Sequence, residues 1–315
     1  IVERGGRVFP STGRSIDVVN ALKNYVSDNG GKFCFLKRVV GVKVKSGQVS
    51  GVLLESGENI DCSTVVLATG GITYPSTGST GDGYLIAKKL GHTIIEPRAS
   101  LVPLETREKW PATLQGLTLK NISASFFDDK GKMVFKDFGE ILFTHFGVSG
   151  PVVLKASRHI NQYVLTGVYM SIDIKPALDY RTLDERIKRD FLKYSRKQYK
   201  NALKDLMPSA MIPVFVELSK IPPEKHVNQI TRAERENIVF LLKNIKLSIS
   251  ATRPPEEAIV TSGGVSVKEI NPQTMESNII RNLFFSGEII DVDGYTGGFN
   301  LQIAFSTGYT AGLNC

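Results

Sequence analysis

The sequence predicts an α/β fold, α+β overall, in which a nucleotide-binding parallel sheet is interrupted by inserted β-rich and helical domains. Two apolar runs that stop at glycines, Val65 to Gly71 and Leu283 to Gly287, predict this fold. The first is rich in β-branched residues, which is typical of a strand buried on both faces of a parallel sheet. Because ligands gather at the carboxyl ends of parallel strands, we expect a binding site at these two glycine stops.

The composition fits a globular protein of one large domain or two to three ordinary ones. The chain has 315 residues, of which 42% are hydrophobic and 22% are charged. No apolar run reaches the length of a membrane span and no leader pattern opens the chain, so we expect a cytoplasmic protein with no membrane partner. Cys34, Cys62 and Cys315 are widely spaced, which predicts buried thiols without a disulfide and no metal site.

The net charge of +8 favours an anionic partner. Much of the excess lies between Arg181 and Lys204, where nine basic residues face three acids; a solvated helix face is the alternative interpretation. This stretch lacks an aromatic stacking platform, so we do not expect nucleic acid as a partner. A small-molecule substrate is the predicted partner, and the sequence predicts no oligomeric state.

The first part of the predicted nucleotide-binding domain covers residues 1–96. Apolar residues at helical spacing predict a helix over 15–29, and short β-rich runs predict strands over 32–36, 39–45, 49–55 and 59–62. This order is typical of the latter part of a dinucleotide-binding domain of the flavin-disulfide-reductase type. No G-x-G-x-x-G fingerprint occurs, so we expect an N-terminally shortened chain that lacks the first βαβ unit.

A loop rich in glycine and hydroxyl residues, residues 75–83, precedes a predicted helix over 84–90. Backbone N–H groups at a helix N-terminus bind anions, so Gly81 and Asp82 are candidates for contacts with a cofactor phosphate. The alternative is a simple helix cap in which Asp82 is a first-turn acid.

The inserted segments begin with a β-rich domain over residues 97–178, with strands predicted over 117–127, 132–138 and 140–144. His145 follows in a glycine-rich segment and is the candidate acid or base, because the ordinary histidine pKa lies near neutrality. A histidine satisfied by local hydrogen bonds is the alternative. A helical subdomain is predicted over 179–248, a return through the β-rich domain over 249–260, and the second part of the nucleotide-binding domain over 261–315.

Two features follow the strand at Leu283. Glu288 lies just past the strand, where a carboxylate can accept hydrogen bonds from sugar or polyol hydroxyls. Gly297 and Gly298 precede an apparent helix and offer N–H donors.

Four ordered motifs carry a resemblance that covers essentially the whole chain. Residues 68–84 read ATGGITYPSTGSTGDGY, residues 144–151 read THFGVSGP, residues 261–277 read TSGGVSVKEINPQTMES and residues 285–302 read FSGEIIDVDGYTGGFNLQ. The chain resembles the bacterial NAD(FAD)-utilising dehydrogenases, or aminoacetone-oxidase-like flavoproteins. The resemblance implies a glutathione-reductase-like FAD-binding Rossmann domain, FAD as cofactor and NAD(P)H as a candidate electron donor.

The resemblance also implies which residues contact FAD. The strand-end segment that would line the flavin nucleotide consists of Ala68, Thr69, Gly70 and Gly71, and Val39 is the strand residue that would contact adenine. Gly287 and Glu288 stand where related flavoenzymes have a Gly-Asp pair. The start of the last helix would contribute Gly298, Phe299, Asn300 and Leu301. The predicted function is an FAD-dependent oxidoreductase. The alternatives are a non-catalytic flavin- or nucleic-acid-binding module and an inactive apo fragment.

Overall fold

A computed structural model describes residues 1–3, 6–163 and 165–315. The chain divides into two compact units, residues 1–98 with 260–315 and residues 99–259. The sequence analysis places the limits of the interrupted domain at residues 96 and 261. Within the described residues, no helix combines the length and the apolar character needed to cross a membrane.

The first part of unit 1 holds the predicted helix and the predicted meander. Its elements are β1 (Val2–Glu3), β2 (Arg7–Val8), α1 (Ser15–Asp28) and the antiparallel strands β3 (Val39–Lys45), β4 (Gln48–Leu54) and β5 (Asn59–Asp61). The strand predicted over 32–36 is wrong, because this segment pairs with no described strand and forms a turn instead. The prediction of buried thiols is also wrong for two cysteines, since Cys34 and Cys315 are exposed.

The two glycine-stopped strands of unit 1 pair with each other in parallel. The remaining elements of the unit are β6 (Val65–Leu67), α2 (Asp82–Lys89), β7 (Ile94–Ser100), β14 (Val260–Val265), β15 (Leu283–Phe285) and α9 (Phe299–Asn314). Leu283 aligns with Val65 and Phe285 with Leu67. The prediction that β6 is buried on both faces is wrong, because Val66 in the middle of this strand is 39% exposed, whereas the neighbouring Leu67 is buried.

Unit 2 is built on a closed six-stranded barrel with the order β10-β11-β8-β13-β12-β9. Its strands are β8 (Leu104–Thr106), β9 (Thr118–Phe127), β10 (Met133–Thr144), β11 (Gly147–Ser149), β12 (Tyr169–Asp173) and β13 (Ile245–Thr252). The sequence predicted two strands where β10 is continuous. Gly139 stays in the ladder opposite Ile122, and a Cβ there would lie 2.9 Å from a methyl carbon of Val152, so this glycine allows close packing rather than a break.

Helices pack against the barrel within unit 2. They are α3 (Trp110–Thr113), α4 (Pro151–Ile160), α5 (Tyr180–Lys193), α6 (Tyr199–Ala202), α7 (Ile212–Ser219) and α8 (Arg232–Lys243). Leu183, Ile187 and Phe191 recur at helical spacing on α5 and are buried in the same cluster as the barrel residues Phe126 and Phe143. The helices predicted over 179–248 therefore share one core with the barrel.

Candidate functional site

The carboxylate of Glu288 connects three segments at the strand ends of unit 1. Its Oε1 accepts hydrogen bonds from the backbone N–H of Thr261 at 2.7 Å and from the hydroxyl of Thr73 at 3.2 Å. Thr261 Oγ1 in turn accepts a hydrogen bond from the N–H of Ile72 at 2.9 Å. The other carboxylate oxygen has no recorded partner among the described residues. Glu288 therefore fixes the loop through one carboxylate oxygen.

The strand-end glycines are required by contacts within the protein. A Cβ at Gly71 would overlap Thr261 Oγ1 and lie 2.6 Å from Glu288 Oε1. Gly70 has a φ of +73°, which strains any other residue, and a Cβ there would lie 2.6 Å from Ser79 Oγ. A Cβ at Gly83, on α2, would overlap the side chain of Thr69, whose buried hydroxyl has no hydrogen-bond partner in the described structure. These side chains can approach the backbone closely only because Gly70, Gly71 and Gly83 have no Cβ.

The side chain of Asn300 connects the start of α9 to the backbone of the preceding turn. Its Oδ1 accepts a hydrogen bond from the N–H of Gly294 at 2.8 Å, and its Nδ2 donates to the carbonyl of the same residue at 2.9 Å. Gly298 caps the helix with a φ of +93°, and no atom lies within 4 Å of where its Cβ would be. Phe299 and Leu301, in the first turn of this 16-residue helix, have exposed side chains.

Acidic groups dominate the turn after β15. Burial raises the pKa of the Asp291 carboxyl, and the nearby charge of Asp293 raises it further. Burial also raises the pKa of Tyr84, with added effects from the Glu288 and Asp291 charges. The Tyr84 hydroxyl donates to the Glu288 carbonyl at 3.3 Å. Such a turn suits the hydroxyl groups of a polyol better than a phosphate, because acidic groups repel an anion.

The loop before α2 is held by its own hydrogen bonds and by an arginine. The N–H groups of Thr77, Gly78 and Thr80 donate to the backbone carbonyls of Tyr74, Pro75 and Gly78. Asp82 is in the first turn of α2, and no side-chain hydrogen bond caps this helix at Gly81. Asp82 receives two hydrogen bonds from Arg38, at 2.8 and 2.9 Å, which lower the pKa of its carboxyl. Contacts of Gly81 and Asp82 with a cofactor stay predictions.

Two further predicted residues are Val39 in unit 1 and His145 in unit 2. Val39 begins β3, is half-buried and pairs with Leu54 on β4. His145 belongs to unit 2, between β10 and β11, where it is exposed and its ring contacts the ring of Phe146 edge-on at 4.9 Å. No hydrogen bond of its imidazole is recorded within the described chain.

The sequence analysis did not assign Thr73, Tyr84, Thr261 and Arg38 to this site. Thr73 and Thr261 lie 215 and 27 residues from Glu288, so local pattern does not connect them. Thr261 does open one of the four motifs that carry the family resemblance, and Arg38 directly precedes Val39. Thr73 and Tyr84 also lie in one of these motifs, residues 68–84, so the motifs and the position of Arg38 were the available signals.

The site residues fit the FAD that the resemblance implies. The Glu288 oxygen without a recorded partner can accept a hydrogen bond from a ribityl hydroxyl, and the N–H groups in the first turn of α9 can donate to the polar edge of a flat ring. The glycines Gly70 and Gly71 keep the strand end narrow. Ala68 is exposed beside them and Thr69 is half-buried.

Comparison with known proteins gives two relatives that match nearly the whole chain. The chain is 31% identical over 313 residues to a ribosomal RNA dihydrouridine synthase of Haemophilus influenzae, covering 98% of this chain and 74% of that protein. It is 30% identical over 315 residues to a 3-dehydro-bile acid delta(4,6)-reductase of Clostridium scindens, covering 98% and 75%.

Among solved structures, the Mycobacterium smegmatis Sdh1 complex matches with a TM-score of 0.37 and 18% identity, over 94% of this chain and 44% of that one. The chain thus spans less than half the length of that structure. The model of the HI0933-like protein Rossmann domain matches residues 1–314, which confirms a Rossmann-type domain in a mixed α/β chain. The chain belongs to the HI0933-like protein Rossmann domain family.

Proposed function

We propose that the protein is an FAD-dependent reductase that adds hydrogen across a carbon–carbon double bond. The observation that carries this proposal is the similarity, over 98% of the chain, to two proteins named as a dihydrouridine synthase and a delta(4,6)-reductase. Both names describe a reaction that adds hydrogen to the substrate. The finer resemblance to aminoacetone-oxidase-like proteins stays a prediction.

Unit 1 supplies the cofactor side of this function. FAD, when bound, supplies the hydride. Glu288 would accept a hydroxyl of the flavin chain with the oxygen that Thr261 and Thr73 leave free. Gly298, Phe299, Asn300 and Leu301 would present their backbone to the ring, and the exposed Phe299 and Leu301 side chains offer apolar surface.

Hydrogen addition also needs a proton and a source of electrons. His145 is the candidate proton donor, because it is exposed and histidine is the side chain most often used in general acid–base catalysis. NAD(P)H is the proposed electron donor, since it delivers two electrons as a hydride. The substrate is proposed to be a small molecule with a conjugated double bond, with a uridine-containing RNA as the second class to test.

An anaerobic assay tests this function. The protein is loaded with FAD and reduced with NADPH, and the flavin absorption is followed after adding either a 4,6-unsaturated 3-oxo steroid or ribosomal RNA. Reoxidation of the flavin by one of these substrates, with a product two hydrogen atoms heavier, is the expected result. Stable FAD binding without reoxidation by either class would instead favour the non-catalytic binding module.

Glu288→Ala tests the cofactor contact separately. We expect FAD affinity to fall about tenfold, because a hydrogen bond to a charged group is lost. Glu58→Ala is the matched control, since Glu58 is exposed and its recorded ion pair is with Lys37 on the surface. Equal FAD affinity in the two variants would contradict the role given to Glu288.

A further inference from the structure

Three lysines of unit 2 line one small cavity without a carboxylate partner. The cavity has a volume of about 280 Å³ and includes Lys120, Lys175 and Lys204 in its lining. None of the three ammonium groups has a recorded ion pair within the described part of the chain, although many other basic residues of unit 2 do. Three like charges around one cavity repel each other unless an anion lies between them.

The side chain of Lys120 extends from a β-bulge between strands β9 and β10 of the barrel. In the β9–β10 ladder, Gly139 pairs with Ile122 and Ile141 pairs with Leu119. Two residues of β9, Lys120 and Asn121, therefore lie opposite the single residue Glu140, and Asn121 has a φ of +55°. Such a bulge redirects a side chain and is common next to binding sites.

Lys175 is held in a fixed loop. Its backbone N–H donates to Asp173 Oδ1 at 2.8 Å, and its carbonyl accepts from Lys243 Nζ at 3.1 Å. Burial lowers the pKa of the Lys175 ammonium, the charge of Arg186 lowers it further, and Asp190 opposes this shift. The fold therefore keeps a partly buried cation here at an electrostatic cost.

Lys204 lies in a turn anchored by buried Leu203 and Leu206. The neighbouring Asp205 also lines the cavity, and its Oδ2 accepts hydrogen bonds from Lys193 Nζ at 3.1 Å and from the Tyr194 hydroxyl at 2.7 Å. One carboxylate thus faces three ammonium groups, so the charged residues of the lining keep an excess of positive charge.

We propose that this cavity binds a phosphate group, with the ammonium groups of Lys120, Lys175 and Lys204 as its counterions. Lysine binds phosphate as a point charge, and three lysines around one opening suit an anion of more than one negative charge. At about 30 Å³ per water molecule, the cavity has room for a phosphate group with its substituent. The phosphate belongs either to a small phosphorylated molecule or to the backbone of a nucleic acid.

Binding of two probes to the full protein tests this site. Inorganic pyrophosphate is titrated by calorimetry, and a short fluorescein-labelled single-stranded RNA by anisotropy. The cavity variant combines Lys120→Gln, Lys175→Gln and Lys204→Gln. The matched control combines Lys136→Gln, Arg189→Gln and Arg196→Gln, three exposed residues with the same total charge that do not line the cavity.

We expect the cavity variant to weaken pyrophosphate binding at least about tenfold and the control variant less than about twofold. An equal loss of RNA binding, with competition by pyrophosphate, would identify a nucleic acid backbone as the source; unchanged RNA binding would identify a small phosphorylated molecule. Equal weakening in both variants, or no pyrophosphate binding by the unmodified protein, would overturn the proposal. Lys120→Gln alone, an exposed change, keeps the test valid if the triple variant misfolds, with an expected loss of about threefold.

Discussion

The two units differ in how completely they bury their apolar residues. In unit 2 the sheet closes into a barrel, so it has no free edges, and its helices share one core with the strands. In unit 1 the parallel strands form a two-stranded sheet, and α1 has no buried residue. The α9 side chains Phe299, Phe305 and Tyr309 are 60%, 49% and 71% exposed.

This difference indicates that unit 2 is a stable support and that unit 1 contains the binding region. Exposed apolar surface of this kind is typical of faces that contact a ligand or another element. Ligand-binding regions commonly belong to the less stable parts of a protein. A ligand that binds only the folded form of a region stabilises that folded form. We therefore expect unit 1 to respond to FAD and unit 2 to keep its stability without it.

The largest effect is expected from truncating the barrel core. Phe126 lies on β9 and has no exposed surface, so Phe126→Ala should cost about 3–5 kcal/mol in the free energy of unfolding. Phe305→Ala is the control in unit 1 and should change it by less than about 0.5 kcal/mol, because this ring is already half in water. Urea denaturation measures both. A comparable loss in the two variants would show that the units are packed alike.

Overpacking the strand end of unit 1 should have the next largest effect. Gly71→Ala places a Cβ against Thr261 and Glu288, and we expect a loss of about 1–3 kcal/mol with weaker FAD binding. Gly312→Ala on α9 meets no atom within 4 Å and should be neutral or slightly stabilising. Denaturation curves with and without FAD compare the pair. Unchanged stability of Gly71→Ala would show that the strand-end segments are not in close contact.

Removing a helix cap in unit 2 should have a moderate effect. The Thr231 hydroxyl accepts from the Glu234 N–H, and the Glu234 carboxylate accepts from the Thr231 N–H, which forms a capping box at α8. Thr231→Ala should cost about 1 kcal/mol, and Thr231→Ser should restore most of it. Thermal unfolding provides the measurement. The effect should be independent of FAD, and a loss of FAD affinity in this variant would contradict the separation of the two units.

The smallest effect is expected from the Arg38–Asp82 pair. Its hydrogen bonds lower the Asp82 pKa below the ordinary value of about 3.9, so the pair stabilises the folded state above that pH. This contribution disappears as the pH falls through the folded-state pKa. Asp82→Asn should lower the melting temperature at pH 7, and this difference should shrink progressively as the pH falls below about 3.9. Asp61→Asn, an exposed control without a recorded ion pair, should show no such pH dependence.

The sequence pattern predicted those elements that are specified by residues near one another in the chain. The periodicity of Ile16, Val19 and Leu22 predicted α1, and the β-rich runs predicted the meander of β3 to β5. The glycine-stopped strands were also found, and their parallel pairing places Gly71 near Glu288.

Other features depend on distant residues and could not be predicted. Barrel closure needs β13 to pair with β8, which is distant in sequence, and no local signal reports this pairing. The hydrogen bonds from Thr73 and Thr261 to Glu288 likewise join separate segments. Exposure of Val66 was missed because a strand's apolar character does not reveal how many strands flank it.

Hydrogen exchange with and without FAD tests the division of roles between the units most directly. We expect FAD to slow amide exchange in residues 68–73, 287–289 and 297–301 of unit 1, while exchange in the barrel strands β9 and β10 stays unchanged. No change in the three segments at saturating FAD, or slowed exchange confined to the barrel, would contradict the assignment of the cofactor site to unit 1.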